Sequence, residues 1–238
     1  MISSKRVFHS FAIVAPRSPA ARRAAQFAET LGFLHDQKTP DFVLSYGGDG
    51  TLLHAERSYP SVPKLLVRDS HIGKAYSDHS LEDAFLAVKR GAFHLESHMK
   101  LEARITRKGK TTIALGLNDI IIRNADLSKA IRFDLVAGKN FPELIGDGLV
   151  IPTPFGSGAY FHSITRRSFA RGFGVAFNNL TVPKRPLFLA ASARLAVRIV
   201  RGPVDVAADN FRLRFRLLQG DRILVVKAKE TACLIVLS

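Results

Sequence analysis

The chain has 238 residues, 47% of them hydrophobic, with a single cysteine and a formal net charge of +15. Such a composition describes a folded protein with length for one large or two small domains, and it excludes a disordered chain, a disulfide framework and a cysteine-built zinc site. No stretch approaches the roughly 18 apolar residues of a membrane span, and the excess of positive charge invites an anionic partner.

Lys5 and Arg6 precede an apolar run over 7–15. That run contains His9 and Ser10 and no small-residue cleavage site follows it, so it reads as a first β-strand rather than a signal peptide. Beyond Pro16 and Pro19, the residues Ala24, Phe27, Ala28 and Leu31 share one face of a helix closed by Gly32. Residues 41–46 form a second strand that runs straight into Gly47-Gly48-Asp49-Gly50-Thr51, and 51–58 then reads as helical. A short third strand spans 64–67. Ser80 caps a helix that continues to Arg90, with Asp83 as its reciprocal partner and Gly91 at its end. Strand alternating with helix implies an α/β domain with a mainly parallel sheet covered on both faces.

From Phe93 onward the pattern changes. Alternating or β-rich runs cover 95–107, 111–123, 131–137, 173–177, 187–200, 211–218, 222–227 and 231–237, and good helix patterns are absent. Lys108-Gly109-Lys110 and Gln219-Gly220-Asp221 are hairpin-like turns. The expected organisation is an α/β domain over 1–92 followed by a β-rich, sandwich-like domain over 93–238.

The cations are scattered in short groups: Arg22-Arg23, Arg107 to Lys110, and Arg166-Arg167. Arg212, Arg214 and Arg216 alternate with Leu213 and Phe215, the pattern of a strand with one wet face. Phosphorylated small molecules account for such a surface as well as nucleic acid does, so nucleic acid is not the favoured partner and no membrane is expected. The single Cys233 suits an intracellular, cytoplasmic chain.

The glycine turn carries the clearest chemistry. A buried strand that ends in glycines and enters a helix gathers backbone N–H groups and a positive helix end at one point, which favours phosphate. Glycine also permits positive φ and close approach of a ligand to the backbone. Asp49 in such a turn can act as general base for a hydroxyl nucleophile, or help hold a metal with the phosphates. The turn alone indicates phosphate binding or phosphoryl transfer and names no acceptor. Its plain reading, a tight strand-to-helix turn with Asp49 as a cap, stands beside that one.

Gly47-Gly48-Asp49-Gly50-Thr51 resembles the signature shared by NAD kinases, by diacylglycerol and sphingosine kinases and, more loosely, by phosphofructokinases. Two further stretches decide among them. Asn118-Asp119, within 117–122, resembles the NAD kinase segment in which an Asn-Glu pair follows a strand. The stretch 146–160, with Thr153-Pro154-Phe155-Gly156-Ser157-Gly158-Ala159-Tyr160 at its end, is similar to that family's long glycine-rich segment. The family architecture, an α/β half followed by a β-rich half, matches the expected organisation over most of the chain.

The resemblance implies transfer of the γ-phosphoryl of ATP, or of polyphosphate, to the 2′-hydroxyl of the adenosine ribose of NAD, giving NADP. Asp49 would then be the catalytic residue that accepts the hydroxyl proton, and Gly47, Gly48, Gly50 and Thr51 would line the path of the phosphates. Asn118, Asp119 and Asp147 would contact the dinucleotide, while Thr153, Ala159, Tyr160 and Ser163 would shape its site. Mg²⁺ would arrive with the ATP phosphates near Asp49 rather than at a fixed protein site. By the same resemblance the chain is expected to form a homodimer or homotetramer.

Some residues depart from the family pattern. Asp119 stands where Glu is usual, Gly158 where Thr is common, and Phe155 where a small polar residue is frequent. The segment 67–78 does not match the family loop and carries Arg68, Asp69, His71 and Lys74, read as a solvated charged loop. A lipid kinase would share the glycine turn but leave the other two stretches unexplained. A non-catalytic dinucleotide-binding protein would follow if Asp119 and Gly158 mark lost activity.

Overall fold

The computed structural model describes residues 7–16, 19–67, 80–211 and 215–238. The expected loop residues Arg68, Asp69, His71 and Lys74, together with Lys5, Arg6, Arg212 and Arg214, lie outside the described residues. Two compact units emerge: Met1–His98 with Thr231–Ser238, and Met99–Glu230.

The first unit is a parallel sheet between helices. Its elements are β1 (Ser10–Val14), α1 (Pro19–Thr30), β2 (Leu34–His35), β3 (Phe42–Tyr46), α2 (Asp49–Ser58), β4 (Lys64–Val67) and α3 (Leu81–Arg90). Strand β5 (Phe93–Arg107) begins in this unit and continues into the next. The sheet order is β2-β1-β3-β4, and β4 also pairs in parallel with Leu234 and Ile235 at the end of the chain. Every residue of β3 and β4 is buried, as expected of strands covered on both faces. On one face Phe11, Phe33, Phe42 and Phe85 meet with ring centroids 5.4 to 6.4 Å apart. Ala24 and Ala28 of α1 and Val88 of α3 close over this cluster, and their small or slender side chains let the helices approach the rings. On the other face Ala12 and Val43 pack against Ala55 of α2.

The helix ends follow local chemistry. Ser80 Oγ accepts the Asp83 N–H at 3.0 Å and donates to the Asp83 carboxylate at 2.8 Å, and Gly91 closes α3 at φ 68°. Helix α2 starts at Asp49, two residues before the expected 51, because Gly48 is extended and serves as the N-cap. That places an acidic side chain in the first turn, where the helix end favours it.

The second unit is antiparallel. In chain order its strands after β5 are β6 (Lys110–Gly116), β7 (Asp119–Asn124), β8 (Ile131–Ala137), β9 (Lys139–Gly146), β10 (Gly148–Pro152), β11 (Phe173–Asn178), β12 (Leu187–Leu189), β13 (Leu195–Arg201), β14 (Val204–Ala208), β15 (Phe215–Leu217) and β16 (Arg222–Leu237). The last of these leaves the unit after Glu230. One layer holds β16-β13-β8-β9 and the β5–β6 hairpin; the other runs β12-β11-β10-β7-β14-β15. Alternate residues of both layers, among them Leu101, Ile120, Ile122, Phe133, Leu149, Phe173, Val197 and Val225, form one shared core. The β5–β6 hairpin turns at Lys108 and Gly109, both at positive φ, as a two-residue turn matched to strand twist requires.

Several expected boundaries shift. The run 111–123 is not one strand, because the chain turns at Leu117 and Asn118 between β6 and β7. The run 187–200 divides into β12 and β13, whereas 222–227 and 231–237 are joined in the single strand β16. The second half is not free of helix: α4 (Tyr160–Thr165) packs Phe161 against Val150 and Ala176 on the outer face of the six-stranded sheet.

Candidate active site

The glycine turn caps the carboxyl end of β3. The Gly47 N–H donates to Val67 O at 3.1 Å, which ties the turn to the neighbouring strand β4. Gly47 is buried at φ 150°, a conformation that L side chains rarely adopt. A Cβ there would also fall 2.5 Å from Thr51 Oγ1. Gly48 differs: nothing lies within 4 Å of where its Cβ would be, so the backbone there is open to close approach. Gly48 brings no side-chain cap to α2, and Asp49 and Gly50 are exposed at the helix's positive end. Pro16 flanks the turn and lines a hollow of about 450 Å³ with Ile13, Arg22 and His35.

The opposite face of β3 and β4 anchors α2. Lys64 and Glu56, both buried, form an ion pair, and Lys64 Nζ also donates to Tyr59 O at 2.7 Å. A buried pair whose ammonium has a further acceptor fixes geometry, and here it ties Lys64 of β4 to the C-terminal end of α2.

In the second unit, the expected pair Asn118-Asp119 occupies the turn between β6 and β7. Three elements hold that turn. Asp209, just past β14, accepts the backbone N–H groups of Leu117 at 2.9 Å, Asn118 at 2.7 Å and Asp119 at 3.2 Å. Thr153, after β10, donates its N–H to Asn118 O at 2.8 Å and its hydroxyl to Leu117 O at 2.5 Å. Gly156 lies so close that a Cβ would sit 2.6 Å from Asn118 Cα, which leaves glycine as the residue that fits.

Asp119 is buried at 5% exposure. Burial, reinforced by the neighbouring Asp209 carboxylate, pushes its carboxyl up to about 7. The Asp209 carboxyl is also raised; burial outweighs its three amide donors and the positive charge of Lys100. Near neutral pH the pair therefore tends to keep a proton, so Asp119 can either donate or accept a hydrogen bond.

The remaining residues singled out by sequence fall in three places. Thr153 is fully buried with its hydroxyl engaged, so it shapes the turn from within. Ala159 is exposed at the start of α4, and Ser163 Oγ donates to Tyr160 O at 2.7 Å. The Tyr160 hydroxyl accepts from Asn178 Nδ2 at 3.3 Å. Asp147 is not brought to the Asn118 turn. It precedes Gly148, which faces Arg123, whereas Asp119 faces Pro152 in the same ladder. The two aspartates are thus separated by roughly 16 Å of strand. Asp147 instead accepts Asn179 Nδ2 at 3.1 Å.

A hollow of about 780 Å³ lies on the outer face of β7 and β14. Ile121 and Arg123 line it with Tyr160, Asp209, Asn210 and Phe211. Its volume and mixed lining suit a nucleoside-sized ligand. Sequence reasoning missed Asp209, Asn210 and Phe211; the apolar alternation of 204–208 marks a strand whose end could have directed attention to them. Among the described residues no group of three or more His, Cys, Asp or Glu side chains is placed to hold a metal ion. No helix among them is long and apolar enough to cross a membrane.

Comparison with known proteins gives a consistent result. No family model matches the chain. The NAD kinase of Symbiobacterium thermophilum is 30% identical over 215 residues, covering 82% of this chain and 73% of that protein. NAD kinase 1 of Oceanobacillus iheyensis is 34% identical over 145 residues, which are 57% of this chain and about half, 54%, of that protein. Among solved structures, yeast NADH kinase complexed with NADH superposes with a TM-score of 0.82 at 18% identity, covering 98% of this chain and 84% of that one. An NAD kinase from Archaeoglobus fulgidus in complex with ATP gives a TM-score of 0.77 at 18% identity, covering 94% and 92%.

Proposed function

The chain belongs to the NAD kinase family, and on that premise we propose that it transfers the γ-phosphoryl group of ATP to the 2′-hydroxyl of the adenosine ribose of NAD. The observation that carries the reading is the clamped Asn118-Asp119 turn, with Asp119 buried, held by Asp209, which also lines a hollow of nucleoside size. A glycine turn alone accounts for phosphate; an amide and a carboxyl on a fixed backbone, the carboxyl able to keep a proton, account for ribose hydroxyls and a base edge.

In this reading the ATP phosphates lie over the open backbone at Gly48 and the positive end of α2, with Arg22 adding positive charge from the adjoining hollow. The exposed Asp49 accepts the ribose 2′-hydroxyl proton as that oxygen bonds to the γ-phosphorus. The bond from the γ-phosphorus to the bridging oxygen breaks, and ADP departs with its electron pair. Mg²⁺ bound to ATP would supply charge neutralisation, and Asp49 is the carboxylate of the turn that would be available to it. Asn118 and Asp119 orient the ribose, Tyr160 and Phe211 flank the dinucleotide, and Thr153 and Gly156 support the turn without touching the ligand. A homo-oligomer and a cytoplasmic location belong to the same proposal.

Incubation with ATP, Mg²⁺ and NAD, with NADP read by an NADP-specific dehydrogenase, tests the reading. Parallel reactions with NADH and with polyphosphate define the acceptor and donor. NADP formation that Asp49→Asn abolishes supports it; no NADP above that variant's background refutes it.

A further inference from the structure

We infer that Asp209 is a positioning residue for the acceptor side of this reaction, fixing the backbone of the Leu117-Asn118-Asp119 turn and, through it, the side chains that orient the ribose. The inference rests on the roles proposed above for Asn118 and Asp119.

Three consecutive backbone N–H groups converging on one point form a concavity that ordinarily attracts an anion. Here the anion is supplied by the chain itself. Both oxygens of Asp209 are used: Oδ2 accepts from Leu117, and Oδ1 accepts from Asn118 and Asp119. The Asp209 N–H returns a bond to Asp119 O at 3.0 Å, so the two segments, some ninety residues apart in sequence, are tied in both directions. The amides of the turn are thereby consumed, and ligand recognition there falls to the Asn118 and Asp119 side chains.

The local backbone is shaped for the task. Strand β14 ends at Ala208, opposite Ile120, and Asp209 follows at φ 52°. That left-handed conformation is tolerated by Gly, Asn and Asp and strained for most other residues. It swings the carboxylate off the strand toward the turn. Thr153 holds the carbonyl groups of the same turn from the other side, so its peptides are bonded through both their donors and their acceptors. A pure packing role would need neither a carboxylate at three amides nor an αL residue to deliver it. A second carboxylate beside Asp119 is also costly in a half-buried place, and Lys100, itself ion-paired to Glu230 at 3.8 Å, is the cation that offsets it.

The test compares Asp209→Asn and Asp209→Gly, both compatible with the backbone, with Ile199→Ala, a core variant that lowers stability away from the turn. Amide hydrogen exchange at Leu117, Asn118 and Asp119 should accelerate in both Asp209 variants and remain slow in Ile199→Ala. The KM for NAD should rise about tenfold, the effect of losing a charge-assisted hydrogen bond, while the KM for ATP holds within about twofold. Asp209→Asn, which keeps one acceptor oxygen, should retain more affinity for NAD than Asp209→Gly. Unchanged amide protection, or NAD and ATP constants that rise together as in Ile199→Ala, overturns the inference. Should the parent chain form no NADP, the kinase reading fails by itself; amide exchange and calorimetric NAD binding still decide whether Asp209 sets the turn.

Discussion

Replacing Asp119 by asparagine should change how stability depends on pH, and the direction follows from the structure. In the folded chain the Asp119 carboxyl is pushed up to about 7 by burial and by Asp209. In the unfolded chain it ionises in the ordinary range near 3.9. Between those values the unfolded state has released a proton that the folded state still holds. Folding stability contributed by this group is therefore full at acid pH, declines as pH rises through that window, and is lost above about 7. From pH 5 to pH 8 the decline amounts to about 2 to 3 kcal/mol, from about 1.4 kcal/mol per pH unit over the roughly two units in which only the unfolded carboxyl is ionised. Sharing of the proton with Asp209 and the field of Lys100 reduce that figure.

The side-chain amide of the Asp119→Asn variant carries no charge to bury, so the variant should lack this decline. Urea unfolding of parent and variant at pH 5 and pH 8 isolates the contribution of the Asp119–Asp209 pair, since titrating groups not coupled to Asp119 cancel in the difference. The parent should lose about 2 kcal/mol more than Asp119→Asn between the two pH values, by the same linkage. Equal losses in the two proteins would show that Asp119 ionises normally in the folded chain. The proton-sharing pair would then have to be abandoned, whatever the enzymatic assays give.

Three further changes probe other parts. Asp49→Asn should lower NADP formation by about 10²-fold or more with little change in melting temperature, since the residue is exposed and the role proposed for it is general base; an equal turnover would remove it from the mechanism. Gly156→Ala drives a methyl against the Asn118 backbone and should cost about 1 to 3 kcal/mol in chemical unfolding while raising the KM for NAD; an undisturbed variant would mean that the contact is slack. Lys64→Met leaves Glu56 buried without the Lys64 ammonium and should cost about 3 to 5 kcal/mol, most of it recovered in the double variant with Glu56→Leu; additive losses on thermal unfolding would contradict a coupled pair.

What can be read in the sequence is what local chemistry decides. The glycine turn, the Ser80 cap and the Gly91 stop are each written in a few adjacent residues, and the structure forms them in place. Sequence reasoning divides β16 because Lys229, Glu230 and Thr231 interrupt its apolar alternation, although the ladder carries them through as exposed positions. Helix α4 escapes it because six residues make fewer than two turns and display no period. In the second unit, Asn118 and Asp119 are legible as residues of interest through resemblance, but their support is not. Asp209 reaches them from about ninety positions away, and no local pattern announces a hydrogen bond of that span.

The two sides of the proposed reaction are thus built differently. The donor side is a contiguous pentapeptide whose geometry is set by glycine torsions and the start of a helix, so its tolerance is steric: Gly47 has no room for a side chain, while Gly48 faces open space. The acceptor side is assembled from three distant segments through hydrogen bonds to one short turn, so its tolerance is electrostatic. The short Asp119 side chain keeps its carboxyl buried and within the field of Asp209, which favours retention of a proton. A carboxyl carried one methylene further from the buried backbone, and out of the Asp209 field, would ionise more readily. Asp119→Glu should therefore bind the ribose with a charged acceptor, and the pH dependence of the KM for NAD between about 6 and 8 should be weaker than in the parent chain. A steeper dependence in Asp119→Glu would show that the length of this side chain does not control its proton.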